Sequence, residues 1–127
     1  MNLVLCDDTE FLRRELRLGL EAAGFTVVGE AADGIDAVRI ARETRPDAFV
    51  VDLSMPGRDG LELVSILRRE HPCARIVVFS GFQAARVAAI ALRQGADAYV
   101  EKGSPFGDLV TQLSAGRERA EPPASLV

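Results

Sequence analysis

The sequence predicts an α/β fold in which one parallel sheet is wound on both faces by helices. Short apolar runs and helix-period stretches alternate five times, in the order βαβαβαβαβα. Such alternation implies parallel strands joined by right-handed crossovers. The runs Phe49-Val50-Val51 and Ile76-Val77-Val78-Phe79 are apolar without a break, as strands covered on both faces require. Most runs stop at a polar or turn residue, the third at Asp52 just before Pro56-Gly57.

The elements follow in order. Asn2-Leu3-Val4-Leu5-Cys6 is a strand that runs into Asp7-Asp8-Thr9, where an Asp or Thr can cap the next helix. In that helix Leu12, Leu16, Leu20 and Ala23 recur at helical spacing, with Arg13, Arg14 and Arg17 outside. Gly24 stops it. Phe25 to Glu30 is the second strand, and Asp33-Gly34 a turn. Ile35, Val38 and Ala41 give a second helix with basic residues between them, ended by Arg45-Pro46. After the central strand and Asp59-Gly60, a third helix turns Leu61, Val64 and Leu67 inward and closes at His71-Pro72. His71 reads as a helix-end residue, because no second imidazole exists to make a ligand pair.

Ala74 to Phe79 is the fourth strand, ending at Ser80-Gly81. A fourth helix spans Ala84 to Gln94 and stops at Gly95, with Ala84, Val87, Ala88 and Ala91 inward. Ala85, Ala89, Ile90 and Leu92 are left on or near its outside. Asp97 to Val100 is the fifth strand, ending at Glu101-Lys102-Gly103. Ser104 is an N-cap with Pro105 at the first helical position, and Phe106, Leu109, Val110 and Leu113 carry the fifth helix. Gly116 to Val127 is charged, then Pro-rich, without periodicity. The expected division is a domain over 1–116 and a tail or linker over 117–127.

With 127 residues the chain reads as one domain that buries about two-thirds of its unfolded surface. A net charge of -4 gives no electrostatic footprint for nucleic acid, so no direct nucleic-acid contact is expected from this segment. No stretch is long and apolar enough to span a bilayer, and no secretory signal is visible. Cys6 reads as a small core residue and Cys73 as a loop residue, without metal-ligand spacing. A cytoplasmic setting is expected.

The chemistry lies at the carboxyl ends of the strands, where open α/β sheets place their sites. The first strand brings Asp7 and Asp8, the third Asp52, the fourth Ser80 with Gly81, and the fifth Lys102. Three carboxylates brought together repel, and such a cluster normally persists only with a cation. Oxygen donors in small number suit Mg²⁺, which keeps waters and commonly bridges to phosphate. Lys102 supplies a point charge for a phosphoryl oxygen, and Ser80 a hydroxyl donor. A carboxylate can attack phosphorus to form an acyl phosphate. These parts describe phosphoryl transfer onto Asp52, balanced by Mg²⁺ and Lys102.

Those residues resemble the receiver domains of response regulators in two-component signalling. The resemblance covers about residues 2–115 and includes Leu5-Cys6-Asp7-Asp8, Val51-Asp52-Leu53-Ser54-Met55-Pro56-Gly57-Arg58-Asp59-Gly60, Phe79-Ser80-Gly81 and Tyr99-Val100-Glu101-Lys102. It implies a single flavodoxin-like (βα)5 sheet with strand order 2-1-3-4-5. It also implies Asp52 as phosphoacceptor, Asp8 as a direct Mg²⁺ ligand, Asp7 as a ligand directly or through water, and the Ser54 backbone carbonyl as another. Ser80 and Tyr99 become the hydroxyl and aromatic switch pair. The implied partner is a sensor histidine kinase or a phosphotransfer protein. Many relatives carry Pro after the lysine; here Gly103 is followed by Ser104-Pro105, which resembles receivers that precede a LuxR-type helix-turn-helix. The expected whole is therefore a transcriptional regulator, or alternatively a single-domain receiver acting through protein contacts.

A homodimer or partner surface is expected on the fourth helix and fifth strand around Ile90, Leu92 and Tyr99, with the first and fifth helices as the competing face. Three other readings fit less well. A haloacid-dehalogenase-type phosphatase wants a second Asp two positions after its nucleophile, at the end of its first strand, and Ser54 holds that offset here. A flavodoxin-type flavin site cradles phosphate after the first strand, where Asp7-Asp8 would repel it. A receiver that only binds partners would not need the acids, Ser80 and Lys102 together. No enzymatic turnover is expected beyond the chain's own phosphotransfer and dephosphorylation.

Overall fold

The computed structural model describes residues 1–55, 59–81 and 85–115, with residues 85 and 86 described by backbone alone. Five strands make one parallel sheet: β1 (Asn2–Cys6), β2 (Thr26–Ala31), β3 (Ala48–Val51), β4 (Arg75–Ser80) and β5 (Ala98–Glu101). Between and after them lie α1 (Glu10–Ala22), α2 (Gly34–Thr44), α3 (Gly60–Glu70), α4 (Ala85–Gln94) and α5 (Phe106–Ser114). The strand order is β2-β1-β3-β4-β5, as expected. The order reverses between β1 and β3, so a crevice opens outside their carboxyl ends.

The sheet is apolar on both faces because alternate residues of each strand point opposite ways. Val4, Cys6, Phe49, Val51, Ile76 and Val78 pack against α2, α3 and α4 through Ala41, Leu63, Val64, Leu67 and Ala91. Leu3, Leu5, Val50, Val77 and Phe79 pack against α1 and α5 through Leu16, Leu20, Leu109 and Leu113. His71 closes α3 as its C-cap and packs edge-on against Phe49, with ring centroids 5.3 Å apart. Burial, with Arg45 nearby, holds its imidazole below the usual pKa, so the ring is neutral.

Several expectations are corrected. Ala23 is the C-cap of α1 and exposed. Asp33 is the N-cap of α2, accepting from the Asp36 N–H, and Gly34 is already helical. That phase turns Ala37 inward and leaves Ile35 61% exposed. In α5 the N-cap is Pro105 and not Ser104, because the Ser104 N–H turns back to the Glu101 carbonyl. Phe106 lies partly exposed against Gly19 of α1. Arg13 does not stand outside α1: its side chain is 15% exposed and turned towards Asp7. β2, β4 and β5 begin one residue later than expected; Asp97, for one, is drawn into an ion pair with Arg68. On α4, Ala91 is buried, Val87, Ala88 and Ile90 are half-buried, and Ala89 and Leu92 are exposed. Pro56-Gly57, Arg58, Ala84, the side chain of Ala85 and the tail lie outside the described residues.

One glycine fixes the loop that carries the central acid. Asp59 caps α3 by accepting from the Leu61 and Glu62 N–H groups, and Gly60 then starts the helix. A Cβ on Gly60 would sit 2.5 Å from the Leu53 carbonyl oxygen and 2.6 Å from its Cα. Backbone cannot give way as a side-chain tip can. Gly60→Ala should therefore lower stability by about 1–3 kcal/mol. Gly107, in the first turn of α5, has open space around its missing Cβ. Gly107→Ala should raise stability, by up to about 0.5–1 kcal/mol. Urea denaturation of the two variants should give shifts of opposite sign.

Candidate functional site

Parallel pairing delivers the strand ends to one edge. Cys6 pairs with Val51, so Asp7 and Asp52, each one residue further on, stand side by side. Lys102 follows Glu101 at the end of β5. Its ammonium lies 2.9 Å from Asp7 Oδ2 and 3.0 Å from Asp52 Oδ2. Both carboxylates are buried, and the lysine side chain is 28% exposed. Ser80, buried at the end of β4, donates its hydroxyl to Asp52 Oδ1 over 2.9 Å. The Ser54 N–H donates to the same oxygen over 3.0 Å. Asp8 is exposed, and one carboxylate oxygen from each of Asp7, Asp8 and Asp52 lies within 4.8 Å of the others.

The charges decide what the cluster can hold. Burial pushes the Asp52 carboxyl up, but the Ser54 N–H, the Lys102 ammonium and the Ser80 hydroxyl together hold it below the usual carboxylate range. Burial pulls Lys102 down, and its bonds to Asp7 and Asp52 outweigh that and raise it. Both groups are charged at neutral pH. Burial first, and Asp7 second, push the Cys6 thiol up to about 12, so it adds neither charge nor nucleophile. Three carboxylates against one ammonium leave two negative charges on hard oxygen donors. That set fits a divalent cation of the Mg²⁺ class. It also leaves an ionised carboxylate, Asp52, with a hydroxyl and an ammonium held at its two oxygens.

The family model for the response regulator receiver domain matches residues 3–114. The chain belongs to that family. It is 38% identical over 112 residues to the nitrate/nitrite response regulator NarL of Escherichia coli, a match that covers 87% of this chain and 52% of NarL. This receiver thus spans about half the length of the curated relatives it matches. Among solved structures, a LuxR-family two-component response regulator from Aurantimonas superposes with a TM-score of 0.86 at 36% identity, covering 98% of this chain and 90% of that one. A response regulator from Burkholderia pseudomallei superposes with a TM-score of 0.81 at 30% identity, covering 92% of this chain and 69% of that one. That protein was crystallised with a phosphorylated aspartic acid, a calcium ion and citrate.

The receiver brings Asp7, Asp8, Asp52, Ser80 and Lys102 into one site, as their strand-end positions imply. Tyr99 is set apart. Its hydroxyl donates to the Gly81 carbonyl over 2.9 Å, one residue beyond Ser80. Burial, with Glu101 beside it, raises the Tyr99 hydroxyl above its ordinary pKa. One further residue, Arg13, touches the site from behind, held in turn by Glu30, and the sequence reading places Arg13 outside its helix. Arg13 donates to the Asp7 carbonyl over 2.6 Å and to Glu30 over 3.1 Å. The only trace of this in the sequence is a Glu at the end of the strand that flanks the Asp7 strand.

Lys102→Met should cost about 2–3 kcal/mol at pH 7, less than a fully buried pair because the lysine is partly exposed. The pH dependence has a definite sign. Asp52 has a depressed pKa in the folded receiver, so its stabilising share is complete above the carboxylate range and is lost as pH falls through that folded value. Without Lys102 that folded value rises, and the loss begins at higher pH. The stability gap between wild type and Lys102→Met should therefore be widest near neutrality and narrow below about pH 5. Urea denaturation without divalent cation, run at several pH values, measures it; a gap that stays constant with pH contradicts the assignment.

Proposed function

We infer that Asp52 of this receiver accepts a phosphoryl group from the phosphohistidine of a sensor kinase or phosphotransfer protein. The observation that carries the reading is Lys102 spanning Asp7 and Asp52 while the cluster keeps two uncompensated negative charges. A carboxylate oxygen of Asp52 attacks phosphorus, the bond from phosphorus to the imidazole nitrogen breaks, and the electron pair returns to the histidine. Lys102 then serves a phosphoryl oxygen as it now serves Asp52, and Ser80 can donate to another. Asp7, Asp8, Asp52 and the Ser54 carbonyl would hold Mg²⁺. Bound there, Mg²⁺ supplies neutralisation of the charge that gathers on the phosphoryl oxygens. The phosphorylated aspartate and calcium ion in the Burkholderia relative support the pairing of acyl phosphate with a divalent cation.

The chemistry is modification of the chain itself, followed by hydrolysis of its own acyl phosphate, with no separate substrate turned over. Ser80 moving towards a phosphoryl group, and Tyr99 moving into the space vacated, would pass the change to the face of α4 and β5. That face is the proposed contact for a partner or a second copy. A further relative, the transcriptional regulatory protein PrrA of Mycobacterium leprae, is 38% identical over 113 residues that make up 48% of its length, so the whole protein is read as a transcriptional regulator. Its receiver runs to about residue 116, beyond which the composition suits a linker. The setting is cytoplasmic.

Intact-mass measurement after incubation with acetyl phosphate and Mg²⁺ should add one phosphoryl group to wild type and none to Asp52→Asn. An equal gain in both overturns the assignment. Mg²⁺ at about a hundredfold excess over its dissociation constant should stabilise the receiver by about 2.7 kcal/mol. Asp8→Asn should remove most of that gain while leaving the cation-free protein as stable as wild type or more so, since one repelling charge is gone. Thermal melts with Mg²⁺ and with chelator measure both effects.

A further inference from the structure

Every polar group of Asp7 has a partner. Its N–H donates to the Ala31 carbonyl over 3.0 Å, and its Oδ1 accepts the Thr9 N–H over 2.9 Å. Its Oδ2 meets Lys102, and its carbonyl accepts from Arg13 over 2.6 Å. The next residue is different. The Asp8 carboxylate has no hydrogen-bond or ion-pair partner among the described residues. Its direction rests on the peptide that precedes it, and the carbonyl of that peptide is the group Arg13 holds. Arg13 is itself held: its Nε lies 3.1 Å from Glu30 Oε1, while Arg17 takes Glu30 Oε2 at 2.6 Å.

We propose that Arg13, latched by Glu30, is a positioning residue for the cation site: it fixes the Asp7–Asp8 peptide plane and so aims the Asp8 carboxylate at the cluster. This rests on reading Asp7, Asp8 and Asp52 as a divalent-cation site. A purely structural role, tying α1 to β2, would need only the bond to Glu30. The second bond goes to the one carbonyl between the two acids. The guanidinium's fork geometry makes both bonds from one side chain, which an ammonium cannot do as well.

Electrostatics and positioning predict opposite signs here, which makes the inference decidable. As a nearby positive charge, Arg13 would weaken cation binding, so its removal would tighten it. As a positioning residue, its removal lets the Asp7–Asp8 peptide rotate and weakens binding. Partners behind metal ligands typically matter 10–100-fold in affinity. Arg13→Lys sharpens the contrast, because it keeps the positive charge yet breaks the fork that makes both bonds.

The test is calorimetric titration of the whole chain with Mg²⁺, paired with amide spectra of the cation-free protein. Arg13→Met should bind Mg²⁺ about tenfold or more weakly. Glu30→Gln should weaken it by a smaller factor in the same direction, and Arg13→Lys should recover part of the loss. Arg17→Gln should stay within about twofold of wild type, since it leaves both bonds of Arg13 intact. In the cation-free spectra, Arg13→Met should displace the Asp8 and Thr9 amides while the β3 and β4 amides stay native. Unchanged or tighter binding by a natively folded Arg13→Met overturns the proposal. If that variant does not fold, Arg13→Lys decides it: with the charge kept, binding as tight as wild type overturns the proposal. Failure of wild type to bind Mg²⁺ would overturn the cation reading instead, and the Asp8 amide would then decide the positioning: undisplaced, it overturns the proposal.

Discussion

The bridge from Lys102 to Asp7 and Asp52 is the constraint on which the site depends. Two buried carboxylates side by side repel, and neither can give up its charge without losing the role a nucleophile or ligand needs. One ammonium between them offsets the repulsion at both, at 2.9 and 3.0 Å. It reaches them only because β5 lies two strands from β3 in a parallel sheet, with its end on the same edge. The bridge therefore couples sheet order to chemistry. A rearranged strand order would leave two buried charges uncompensated, a penalty of several kcal/mol. It also leaves the cluster short of neutrality by two charges, which is what gives a divalent cation a reason to enter.

The opposite end of the sheet shows what a satisfied carboxylate looks like. Asp97, before β5, accepts the Ile76 N–H over 2.8 Å and the Arg68 guanidinium over 2.6 Å, with Arg75 at 4.0 Å. Arg68 also donates to the carbonyls of Gly95, His71, Pro72 and Ala74. One guanidinium thus fastens the end of α3, the start of β4 and the turn after α4. Two cations face a single acid there, so the cluster has no call on a metal. Both ends use a buried ion pair, but of these two clusters, among the described residues, the one of Asp7, Asp8 and Asp52 leaves negative charge over. The difference separates a neutralised anchor from a cluster with charge left over, without reference to any relative.

Much of this was legible in the sequence because topology does the assembling. Periodicity and turn residues locate five strand ends, and parallel winding then brings Asp7, Asp8, Asp52, Ser80 and Lys102 together. What periodicity cannot read is a polar side chain that folds back. Arg13 shares the spacing of Arg14 and Arg17, which place it outside, yet its guanidinium finds the Asp7 carbonyl and turns in. The contacts of Arg68 and Asp97 lie 29 positions apart and leave no local signature. Ile35 misled for a related reason. Apolarity suggests burial, but the cap at Asp33 sets the helical phase, and the small Ala37 takes the place near the sheet.

The way Asp52 is held also bears on how a change there could travel. Ser80 is tied to the site twice: its hydroxyl donates to Asp52, and its carbonyl accepts the Lys102 N–H over 2.9 Å. The carbonyl of the next residue, Gly81, holds the Tyr99 hydroxyl. Asp52, Ser80, Gly81 and Tyr99 are therefore linked by hydrogen bonds and one peptide unit. A group that drew the Ser80 hydroxyl away from Asp52 would break the first link of that chain. Tyr99 is also bonded at a single exposed oxygen, so its restraint is weak beside that of Ser80, which is buried and anchored from two strands. The chain of bonds thus has one firmly held end and one held more lightly. On that reasoning the exposed Tyr99–Gly81 bond, and not the buried bonds around Asp52, is the link that gives way at the lower cost.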